Sequence, residues 1–491
     1  MSAIPRLTLG LDVGTQGTKG LVADVEERRV VARAARAYDL LPGLPPGAAE
    51  QHPATWWEAV RGVVRELAAH PGVDPAAIGG IGVSGQQHGF VALDAADRVI
   101  RPAKLWCDTA TAAEARELAA TFGRPVPTGF TASKILWLKR HEPEHFTRLA
   151  SVLLPHDWVN FRLTGAKAME YGDASGTGLF DPVAREFIAA DVAAIDPRLA
   201  GALPPLLAPG EPAGRLTAAA AAELGLAEGT LVAPGGGDNM MSAIGSGATR
   251  TGVGVVSLGT SGTVFAYSRV SIVDPAGRIA PFCDSTGGWL PLLCVMNATG
   301  VTEAVRRLCG GDLETLTTAA ARVAPGAGGV LFLPYLAGER VPDLPEAAGA
   351  LLGLRSESFA PGVLFRAAIE GQTLNLGWGV EAMRGLGLAL DAVRVVGGGA
   401  KNPLWCRILA DVLAAPVQEL AEPESAALGA ALQAAWCVRR AGGEDVDADA
   451  IATAFVALAG EPVDPDPENV ARYRELGAEF RAAVGRQYGA R

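Results

Sequence analysis

One short pattern occurs twice in this chain, at places about half its length apart. Residues 11–22 read LDVGTQGTKGLV and residues 256–267 read VSLGTSGTVFAY. Each copy has an apolar run, a Gly-Thr-x-Gly-Thr turn and a second apolar run, which is typical of a β-hairpin. Gly14 and Gly259, which open the two turns, are 245 residues apart in a chain of 491. A repeat on this scale predicts two similar domains and not a solenoid, whose repeats are about 20–50 residues long.

The length of the chain supports the same division. A single hydrophobic core rarely grows beyond roughly 250–300 residues, so at least two domains are expected. We place the boundary so that residues 1–248 form the first domain and residues 249–491 the second. Short apolar runs alternate with segments of helical spacing, such as 53–69 and 365–386, which predicts an α/β fold. The last ~50 residues, acidic and Ala-rich, are expected to be a helical extension without chemistry.

Composition excludes several classes of protein. Hydrophobic residues make up 49% of the chain and charged residues 19%, which is too apolar for a disordered chain. The formal net charge is −11 and Lys and Arg form no dense run, so we expect no nucleic-acid partner. No apolar stretch approaches ~18 residues and no signal peptide is recognised, so we expect no membrane span and a cytoplasmic location. The six cysteines form no Cys-x-x-Cys pair and are expected to be reduced.

Both hairpin turns carry the residues of a phosphate site. Glycines let backbone N–H groups approach phosphate oxygens, and hydroxyl groups add further donors. The first turn supplies DVGT at residues 12–15, and the second supplies GTSG at residues 259–262. An acidic residue just before such a turn can hold Mg²⁺, usually through water, which makes Asp12 the candidate metal ligand. One such turn alone is compatible with an ordinary hairpin, but two at matched places favour phosphate binding.

A third glycine-rich segment, GGGDN at residues 235–239, follows a short apolar strand. The three glycines permit a close approach of the backbone, and Asp238 stands directly after them. Phosphoryl transfer to an alcohol needs a carboxylate that accepts the hydroxyl proton and orients the oxygen, which makes Asp238 the candidate base. An aspartate in this place also commonly forms an Asx turn that caps a helix, so this interpretation depends on the two phosphate turns.

Residues on other predicted strand ends could line the same site. Gln87 and His88 offer an amide and an imidazole, which suit sugar hydroxyls, although a lone histidine is more often structural. Trp106 and Asp108 lie on another strand-end loop. Residues 397–402, GGGAKN, follow a strand but match the dinucleotide pattern G-x-G-x-x-G poorly. A turn against adenine or ribose fits this segment better.

In this order, the segments resemble the FGGY family of carbohydrate kinases. The resemblance extends from Leu9 to about Val438 and is greatest to the members that act on xylulose. The shared motifs are LDVGT at 11–15, EQHP-x-x-WW at 50–57, SGQQHG at 84–89, LW-x-D at 105–108, GFTASKILWLKRHEP at 129–143, DASGTGLFD at 173–181, GGGDN at 235–239, SLGTSG at 257–262, LPYLAGER at 333–340 and GGGAKNPLW at 397–405.

The resemblance implies an α/β protein of two RNase-H-like domains of the actin and sugar-kinase type, with an active-site cleft between them. It implies ATP-dependent phosphorylation of D-xylulose to D-xylulose 5-phosphate, with Mg²⁺ as cofactor and a homodimer as the family expectation. The first domain would bind the sugar, and the second the nucleotide. The implied catalytic residues are Asp238, as general base, and Asp12, which would also bind Mg²⁺ through water. The implied sugar-binding residues are Gln87, His88, Trp106, Asp108, Asp238 and Asn239. The implied ATP-binding residues are Thr15, Gly259, Thr260, Ser261, Gly398, Gly399 and Asn402.

The chain departs from the family pattern at two places. It has Ala110 where many xylulose kinases have arginine in W-x-D-x-R, which puts one sugar contact in doubt. It has Val363 in place of an acidic residue or amide before LFRAAIEG, which should leave the helix intact.

Three different functions stay open beside D-xylulose phosphorylation. Kinases for ribulose, glycerol and erythritol share most of the motifs, so the substrate could be another ketose or polyol. The same architecture also serves actin-like ATPases that act through partners, and a catalytically silent sugar sensor would keep the fold as well. GGGDN and SGQQHG argue against the ATPase, which needs no sugar pocket, and the intact Asp12 and Asp238 argue against the sensor.

Overall fold

The computed structural model describes residues 6–489, which divide into two compact units. Among these residues, the first unit comprises the chain up to Thr249, Phe282–Leu290 and Glu424–Val456, and the second comprises Arg250–Pro281, Pro291–Pro423 and the chain from Ala457 onwards. The first change of unit lies beside the boundary that we placed between residues 248 and 249. The structure differs from that two-segment division because two later segments return to the first unit.

A mixed β-sheet is the main sheet of the first unit, which also has short strands outside that sheet. Its strands are β1 (Leu7–Val13), β2 (Gly17–Asp24), β3 (Arg29–Ala37), β4 (Glu50–Gln51), β5 (Ile78–Gly85), β6 (Val91–Leu93), β7 (Ala103–Lys104), β8 (Ser151–Leu153), β9 (Met169–Glu170), β10 (Phe180–Asp181), β11 (Glu186–Phe187), β12 (Leu206–Leu207), β13 (Gly214–Arg215), β14 (Leu231–Val232) and β15 (Gly236–Gly237). Its helices up to residue 245 are α1 (Pro53–Ala68), α2 (Ala112–Phe122), α3 (Thr131–His141), α4 (Pro143–Arg148), α5 (Pro155–Thr164), α6 (Tyr171–Ala174), α7 (Ala189–Ile195), α8 (Ala218–Leu224) and α9 (Asp238–Gly245).

The two faces of this sheet are covered in different ways. The strand order is β13-β14-β5-β1-β2-β3, with β1, β2 and β3 antiparallel, β5 parallel to β1, and β15 paired with β5. On β1, Leu9 and Leu11 are fully buried in one cluster with Trp56 and Val63 of α1. Side chains alternate along a strand, so Gly10 between them faces the opposite side of the sheet.

The second unit repeats this plan. Its strands are β16 (Gly252–Leu258), β17 (Gly262–Ala266), β18 (Ile279–Cys283), β19 (Trp289–Val295), β20 (Leu331–Leu333), β21 (Ala350–Leu352), β22 (Leu390–Val396), β23 (Val417–Leu420) and β24 (Leu458–Val463). The remaining helices are α10 (Thr299–Cys309), α11 (Leu313–Ala321), α12 (Pro361–Gly385), α13 (Pro403–Leu413), α14 (Ser425–Ala441), α15 (Ala448–Phe455) and α16 (Pro467–Tyr488), of which α14 and α15 belong to the first unit. Between residues 6 and 489, no helix combines the length and the apolar character needed to cross a membrane.

Both main sheets contain an antiparallel hairpin whose first strand also pairs in parallel with a later strand. In the first unit the hairpin is β1–β2 and the parallel partner is β5. In the second unit the hairpin is β16–β17 and the parallel partner is β22. The repeat in the sequence therefore corresponds to a repeat in topology, which confirms the predicted α/β class and the two sheet-containing units.

Helix α14 lies directly against the glycine-bearing face of the first sheet. Gly10 and Gly82 are register partners on β1 and β5. A Cβ added to Gly10 would lie 1.9 Å from the carbonyl oxygen of Ala427, and one added to Gly82 would lie 1.9 Å from that of Ala430. The backbone of α14 therefore packs where side chains would otherwise stand. This close packing explains why a segment so late in the chain belongs to the first unit.

The C-terminal segment, predicted to be a helical extension, contains helices α15 and α16 but also a strand between them that was not predicted. Strand β24 pairs with β23 at the edge of the second sheet, and α15 belongs to the first unit. The residues of β24 are half-buried or exposed and show no strict alternation, so this edge strand gives little periodic signal. Helix α16 contributes Tyr473 and Phe480 to the core of the second unit.

Candidate active site

The carboxyl ends of three neighbouring strands meet at one edge of the first sheet. β5 lies between β1 and β15, and its residue Ser84 is the register partner of both Asp12 and Gly236. The hydroxyl group of Ser84 donates a hydrogen bond to Asp12 Oδ1 at 2.8 Å. Helix α9 begins at Asp238, directly after β15. The fold thus brings Asp12 and the segment that carries Asp238 to the same sheet edge.

Asn239 links Asp238 to Gln87. Its Nδ2 donates to Gln87 Oε1 at 2.8 Å and to Asp238 Oδ1 at 2.9 Å. The backbone N–H of Asn239 donates to the same Asp238 oxygen at 2.8 Å. Gln87 is buried, whereas Asp238 and Asn239 are half-buried. Three of the predicted sugar-binding residues, from two distant segments, therefore form one hydrogen-bonded group.

The surroundings of this group change the acidity of its carboxyl groups. Burial, followed by the negative charges of Asp12 and Asp173, raises the pKa of Asp238 to about 8. Burial also raises the pKa of Asp12 to about 6, although the hydrogen bond from Ser84 acts in the opposite direction. A carboxyl group whose pKa lies near neutrality is suited to act as a general base.

A buried ion cluster, which the sequence analysis missed, supports the same sheet edge. His156 on α5 has its Nδ1 2.8 Å from Asp173 Oδ2 and its Nε2 3.0 Å from Asp157 Oδ1. All three residues are at most 1% exposed. Burial acts to lower the pKa of His156, but the two carboxylates hold it well above its ordinary value. A Cβ at Gly85, the last residue of β5, would lie 2.8 Å from the backbone nitrogen of His156.

Glu170 is the third buried carboxyl group on this side. It accepts hydrogen bonds from the backbone N–H groups of Gly172 and Asp173 and from the hydroxyl group of Ser285. Burial raises the pKa of Glu170 to about 7. Of the residues in these two clusters, Asp173 alone stands in one of the shared motifs, where it opens DASGTGLFD. The DASGTGLFD motif was therefore the sequence signal that could have indicated these buried groups, since His156, Asp157 and Glu170 lie outside every shared motif.

His88 is held in an unusual backbone conformation. Its φ is +62°, which few residues other than glycine adopt and which often marks a ligand site. Its carbonyl oxygen accepts a hydrogen bond from Lys134 Nζ at 2.6 Å. The ring lies 4.6 Å from that of Phe130 and 5.7 Å from that of Phe282. The imidazole is therefore fixed in place next to Gln87.

Thr15 and Trp106 belong to one hydrogen-bond network. Trp106 Nε1 donates to Thr15 Oγ1 at 2.9 Å, and Thr15 Oγ1 donates to Gln86 Oε1 at 3.0 Å. Gln51 donates to the carbonyl oxygen of Thr15 at 2.7 Å and accepts from Gln86 at 3.1 Å. The network joins a residue predicted to bind sugar to one predicted to bind ATP. It also gives Gln51 and Gln86 a role that sequence reasoning had not assigned.

Asp108 has the contacts of a structural residue. It is fully buried, and its Oδ2 accepts from Lys104 Nζ and from the backbone N–H of Ala49, both at 3.0 Å. Its Oδ1 accepts from the backbone N–H of Ala110 at 3.1 Å. These bonds fix the loop that carries Trp106. A direct contact of Asp108 with sugar stays a prediction.

The residues around Asp12 fit a magnesium ion held mainly through water and phosphate. Among residues 6–489 there is no group of three or more His, Cys, Asp or Glu side chains able to enclose a metal ion. The negative charge of Asp12 raises the pKa of Asp238, and a nearby cation would counteract this effect. Mg²⁺ commonly takes one or two carboxylates and completes its shell with water and substrate phosphates. Asp12 as a magnesium ligand stays a prediction.

In the second unit, the two predicted ATP loops lie side by side. They follow β16 and β22, whose last residues pair in parallel, with Ser257 opposite Val396. The carbonyl oxygen of Gly259 accepts from the backbone N–H of Thr299 at 2.9 Å and from its hydroxyl group at 2.7 Å. A Cβ on Gly399 would lie 2.7 Å from Leu258 Cβ. The segments 259–261 and 397–399 are therefore neighbours in this unit.

The remaining ATP residues differ in how far they are committed to internal contacts. Thr260 and Gly398 are exposed and Ser261 is half-buried, so these positions can be approached from solvent. Asn402 caps α13, because its Oδ1 accepts from the backbone N–H groups of Leu404 and Trp405 at 3.1 and 3.2 Å. Its Nδ2 donates to Thr317 Oγ1 at 3.0 Å. Contact of Asn402 with adenosine stays a prediction.

Comparison with known proteins identifies the family. The N-terminal domain of the FGGY family of carbohydrate kinases matches residues 7–245, and the C-terminal domain of that family matches residues 254–438. A xylulose kinase of Haemophilus influenzae is 40% identical over 445 residues, which cover 87% of this chain and 90% of that protein. A xylulose kinase of Streptomyces coelicolor is 39% identical over 478 residues, covering 93% and 92% of the two chains.

Solved structures agree with the sequence comparisons. A xyloylose kinase from Brucella ovis is 33% identical with a TM-score of 0.91, covering 98% of this chain and 99% of that one. A xylulose kinase from Rhodospirillum rubrum is 32% identical with a TM-score of 0.87 and covers 98% of both chains. A glycerol kinase from Plasmodium falciparum, 19% identical with a TM-score of 0.86 and 98% coverage of both chains, has the same fold. With both domains matched over most of its length, this chain belongs to the FGGY family of carbohydrate kinases.

Proposed function

We propose that this carbohydrate kinase transfers the γ-phosphoryl group of ATP to O5 of D-xylulose, giving D-xylulose 5-phosphate and ADP. The observation that carries the proposal is the hydrogen-bonded group of Gln87, Asn239 and Asp238, with His88 fixed beside it. This group places polar donors suited to a sugar around a carboxyl group suited to a base. The choice of D-xylulose is supported by relatives named xylulose kinase that are 39% and 40% identical.

In the proposed reaction, Asp238 accepts the proton of the O5 hydroxyl group as the oxygen attacks the γ-phosphorus atom. The O5–P bond forms while the bond from phosphorus to the β,γ-bridging oxygen breaks, and ADP leaves with that oxygen. The backbone bond from Asn239 orients the Asp238 carboxylate, and the Asn239 amide keeps Gln87 in register with it. Most of the catalytic effect would come from positioning and electrostatics, as is general for phosphoryl transfer.

The nucleotide would be bound by backbone and hydroxyl groups. Gly259, Thr260 and Ser261 would donate hydrogen bonds to its phosphate oxygens, together with the turn at Thr15. Gly398, Gly399 and Asn402 would contact the adenosine end. Bound Mg²⁺, held near Asp12 through water, would supply neutralisation of the phosphate charge. Each of these nucleotide contacts is proposed from the positions of residues within one unit.

The first test is ADP release in a coupled assay with Mg²⁺-ATP and a panel of D-xylulose, D-ribulose, L-ribulose, glycerol and erythritol. We expect D-xylulose to give by far the highest kcat/KM. If another compound wins, the kinase mechanism stands, and the loop around Ala110, which lacks the expected arginine, becomes the first place to look for the difference. Failure of all five to stimulate ATP turnover would contradict the proposal.

The second test replaces the proposed base. We expect Asp238→Ala to lower kcat by roughly 10²–10⁴-fold, because general-base catalysis contributes about that much. ATP binding, measured by calorimetry, should stay nearly unchanged, since Asp238 lies in the first unit and the adenosine residues in the second. A folded variant with near-normal turnover would exclude Asp238 as the base.

A further inference from the structure

Helix α14 carries one polar side chain, Gln433, that is fully buried in the first unit. The helix is otherwise rich in alanine, and its neighbours Leu432 and Ala434 are also buried. Burying an amide is costly unless its polar atoms are hydrogen-bonded. Both polar atoms of the Gln433 side chain therefore need hydrogen-bond partners.

Gln433 forms a reciprocal pair of hydrogen bonds with the backbone of Gly235. Its Oε1 accepts from the N–H of Gly235 at 2.9 Å, and its Nε2 donates to the carbonyl oxygen of Gly235 at 2.9 Å. The two residues are 198 positions apart in the chain. The side-chain amide thus satisfies both polar groups of one backbone residue, in the way that a neighbouring strand would.

The segment that Gln433 holds is fixed through its backbone, since Gly236 and Gly237 pair with β5 and Asn160 donates to the carbonyl oxygen of Pro234 at 2.8 Å. Residues 235–237 are glycines, so they have no side chains to pack. Gly235 has a φ of +75°, and a Cβ there would lie 2.4 Å from the carbonyl oxygen of Val83. The segment is therefore close to β5 and cannot tolerate a side chain at this point. Asp238 follows three residues after Gly235, so any shift of Gly235 is passed to it through a short backbone.

We propose that Gln433 is a positioning residue for phosphoryl transfer: it fixes Gly235, and through Gly235 the place of the Asp238 carboxyl group. The inference rests on the proposed role of Asp238 as the base. Gln433 does not contact the sugar or ATP in this proposal. Displacement of a catalytic group by about 1 Å can cost roughly 10²-fold in rate. Loss of the two hydrogen bonds between Gln433 and Gly235 should therefore lower kcat.

A merely structural role would give a different result. If Gln433 only attached α14 to the sheet, its loss would lower the melting temperature and the yield of folded protein. Each folded molecule would then turn over at the normal rate. The measurement that separates the two roles is kcat per active molecule, with active molecules counted by ATP-binding titration.

The experiment compares variants of the full-length enzyme. Gln433→Met removes both hydrogen bonds at similar volume, and Gln433→Glu keeps an acceptor for the N–H of Gly235. Trp436→Phe is the matched control, because it removes one hydrogen bond from the same helix, that of Trp436 Nε1 to the carbonyl oxygen of Val446. We expect kcat to fall about 10–100-fold in Gln433→Met and less in Gln433→Glu, with the KM for sugar changed less than the kcat. Trp436→Phe should keep the wild-type kcat.

Two outcomes would overturn the inference. One is a folded Gln433→Met enzyme whose kcat is within about twofold of Trp436→Phe. If Gln433→Met does not fold, Gln433→Glu carries the test, and a kcat equal to that of Trp436→Phe is the second.

Asp238→Asn, assayed in parallel, separates failure of this inference from failure of the proposed function. If Asp238→Asn loses activity and the Gln433 variants do not, the positioning role alone is wrong. If Asp238→Asn stays active, Asp238 is not the base, and the positioning role that rests on it is wrong as well.

Discussion

At the scale of the residue, Asp238 combines a half-buried place with two neighbouring negative charges. These conditions raise its pKa to about 8, with burial as the largest cause and Asp12 and Asp173 as the next. A base must be ionised to accept a proton, so under the proposed role of Asp238 we expect only part of the free enzyme to be in the reactive form at neutral pH. The electrostatics of this one carboxyl group therefore lead to two measurable pH effects.

The first effect is on activity. We expect kcat/KM for the sugar to rise with pH up to about pH 8, because this ratio reports ionisation of the free enzyme. Asp173→Asn removes one of the charges that raise the pKa of Asp238, so the acidic limb should move to lower pH. The measurement is the pH profile of kcat/KM for both enzymes.

The matched control for this profile is Asp97→Asn. Asp97 is exposed, and its φ of +60° is one that asparagine also adopts. The acidic limb of the kcat/KM profile of Asp97→Asn should coincide with that of the wild-type enzyme. A limb that stays in place in Asp173→Asn would show that the charge of Asp173 does not reach the base.

The second effect is on stability. A carboxyl pKa raised by folding means that the folded state holds its proton while the unfolded state has lost it. The stability associated with protonated Asp238 is complete below the unfolded pKa of about 4 and is lost as pH rises to about 8. Asp238→Asn cannot ionise, so its melting temperature relative to wild type should rise between about pH 5 and about pH 8 and then level off.

Melting curves recorded across this pH range without nucleotide or Mg²⁺ test this expectation. Asp97→Asn again serves as the control, with a difference that should not depend on pH in this way. A constant difference between Asp238→Asn and wild type would contradict the pKa assigned to Asp238.

The site residues that sequence could predict are those next to glycines or in motifs. Asp12 and Asp238 each lie within two residues of a glycine turn, and the structure brings their segments to one sheet edge. The cluster of His156 and Asp157 was not predictable, because each lies on a helix whose pattern is explained by packing alone. Conversely, the contacts of Asp108 and Asn402 are those of structural residues, which strand-end position does not reveal.

At the scale of the element, glycines on β1 and β5 decide what can cover the sheet. The apolar runs on both sides of each Gly-Thr-x-Gly-Thr turn predicted both hairpins. It could not predict that Gly10 and Gly82 face a helix from the end of the chain. A glycine in a strand is compatible with a bulge, a bend or a close approach, and only the approach of Ala427 and Ala430 distinguishes these.

This packing gives a prediction for Gly82→Ala. The added Cβ would lie 1.9 Å from the carbonyl oxygen of Ala430, so β5 and α14 would have to separate. We expect the free energy of unfolding to fall by at least about 1–3 kcal/mol, as it does for other overpacked interiors. The loss should be seen as a lower midpoint in urea unfolding.

Gly201→Ala is the matched control for that substitution. Gly201 is exposed and a Cβ there would meet no atom within 4 Å, so its midpoint should change little. Equal midpoints for Gly82→Ala and Gly201→Ala would mean that α14 does not pack on β5 as described.

At the scale of the whole molecule, the first unit is made of three separate stretches of chain. The sequence repeat predicted two sheet-containing units but not this discontinuity. Helix α14 is Ala-rich and apolar, and such a composition is compatible with packing on any small-residue surface. Which sheet it covers depends on contacts hundreds of residues apart, about which local patterns carry no information.

Two truncations test the arrangement. A chain ending at Val456 keeps all three stretches of the first unit, whereas a chain ending at Pro423 lacks α14 and α15. We expect β1 and β5 to be protected from amide hydrogen exchange in the longer fragment and to exchange rapidly in the shorter one. Both fragments lack α16, so loss of the second unit's core is common to them and serves as the internal reference. Equal protection of β1 in the two fragments would contradict a structural need for α14.

The discontinuous first unit also sets an order of events during synthesis. Its main sheet has emerged once residue 249 has left the ribosome, but α14 and α15 come only with residues 424–456. At roughly 5–20 residues per second, the intervening 200 or so residues take about 10–40 s to translate. During that interval, the glycine-bearing face of β1 and β5 is not covered by α14. The packing of the first unit can therefore be completed only after α14 has been synthesised, long after the strands that it covers.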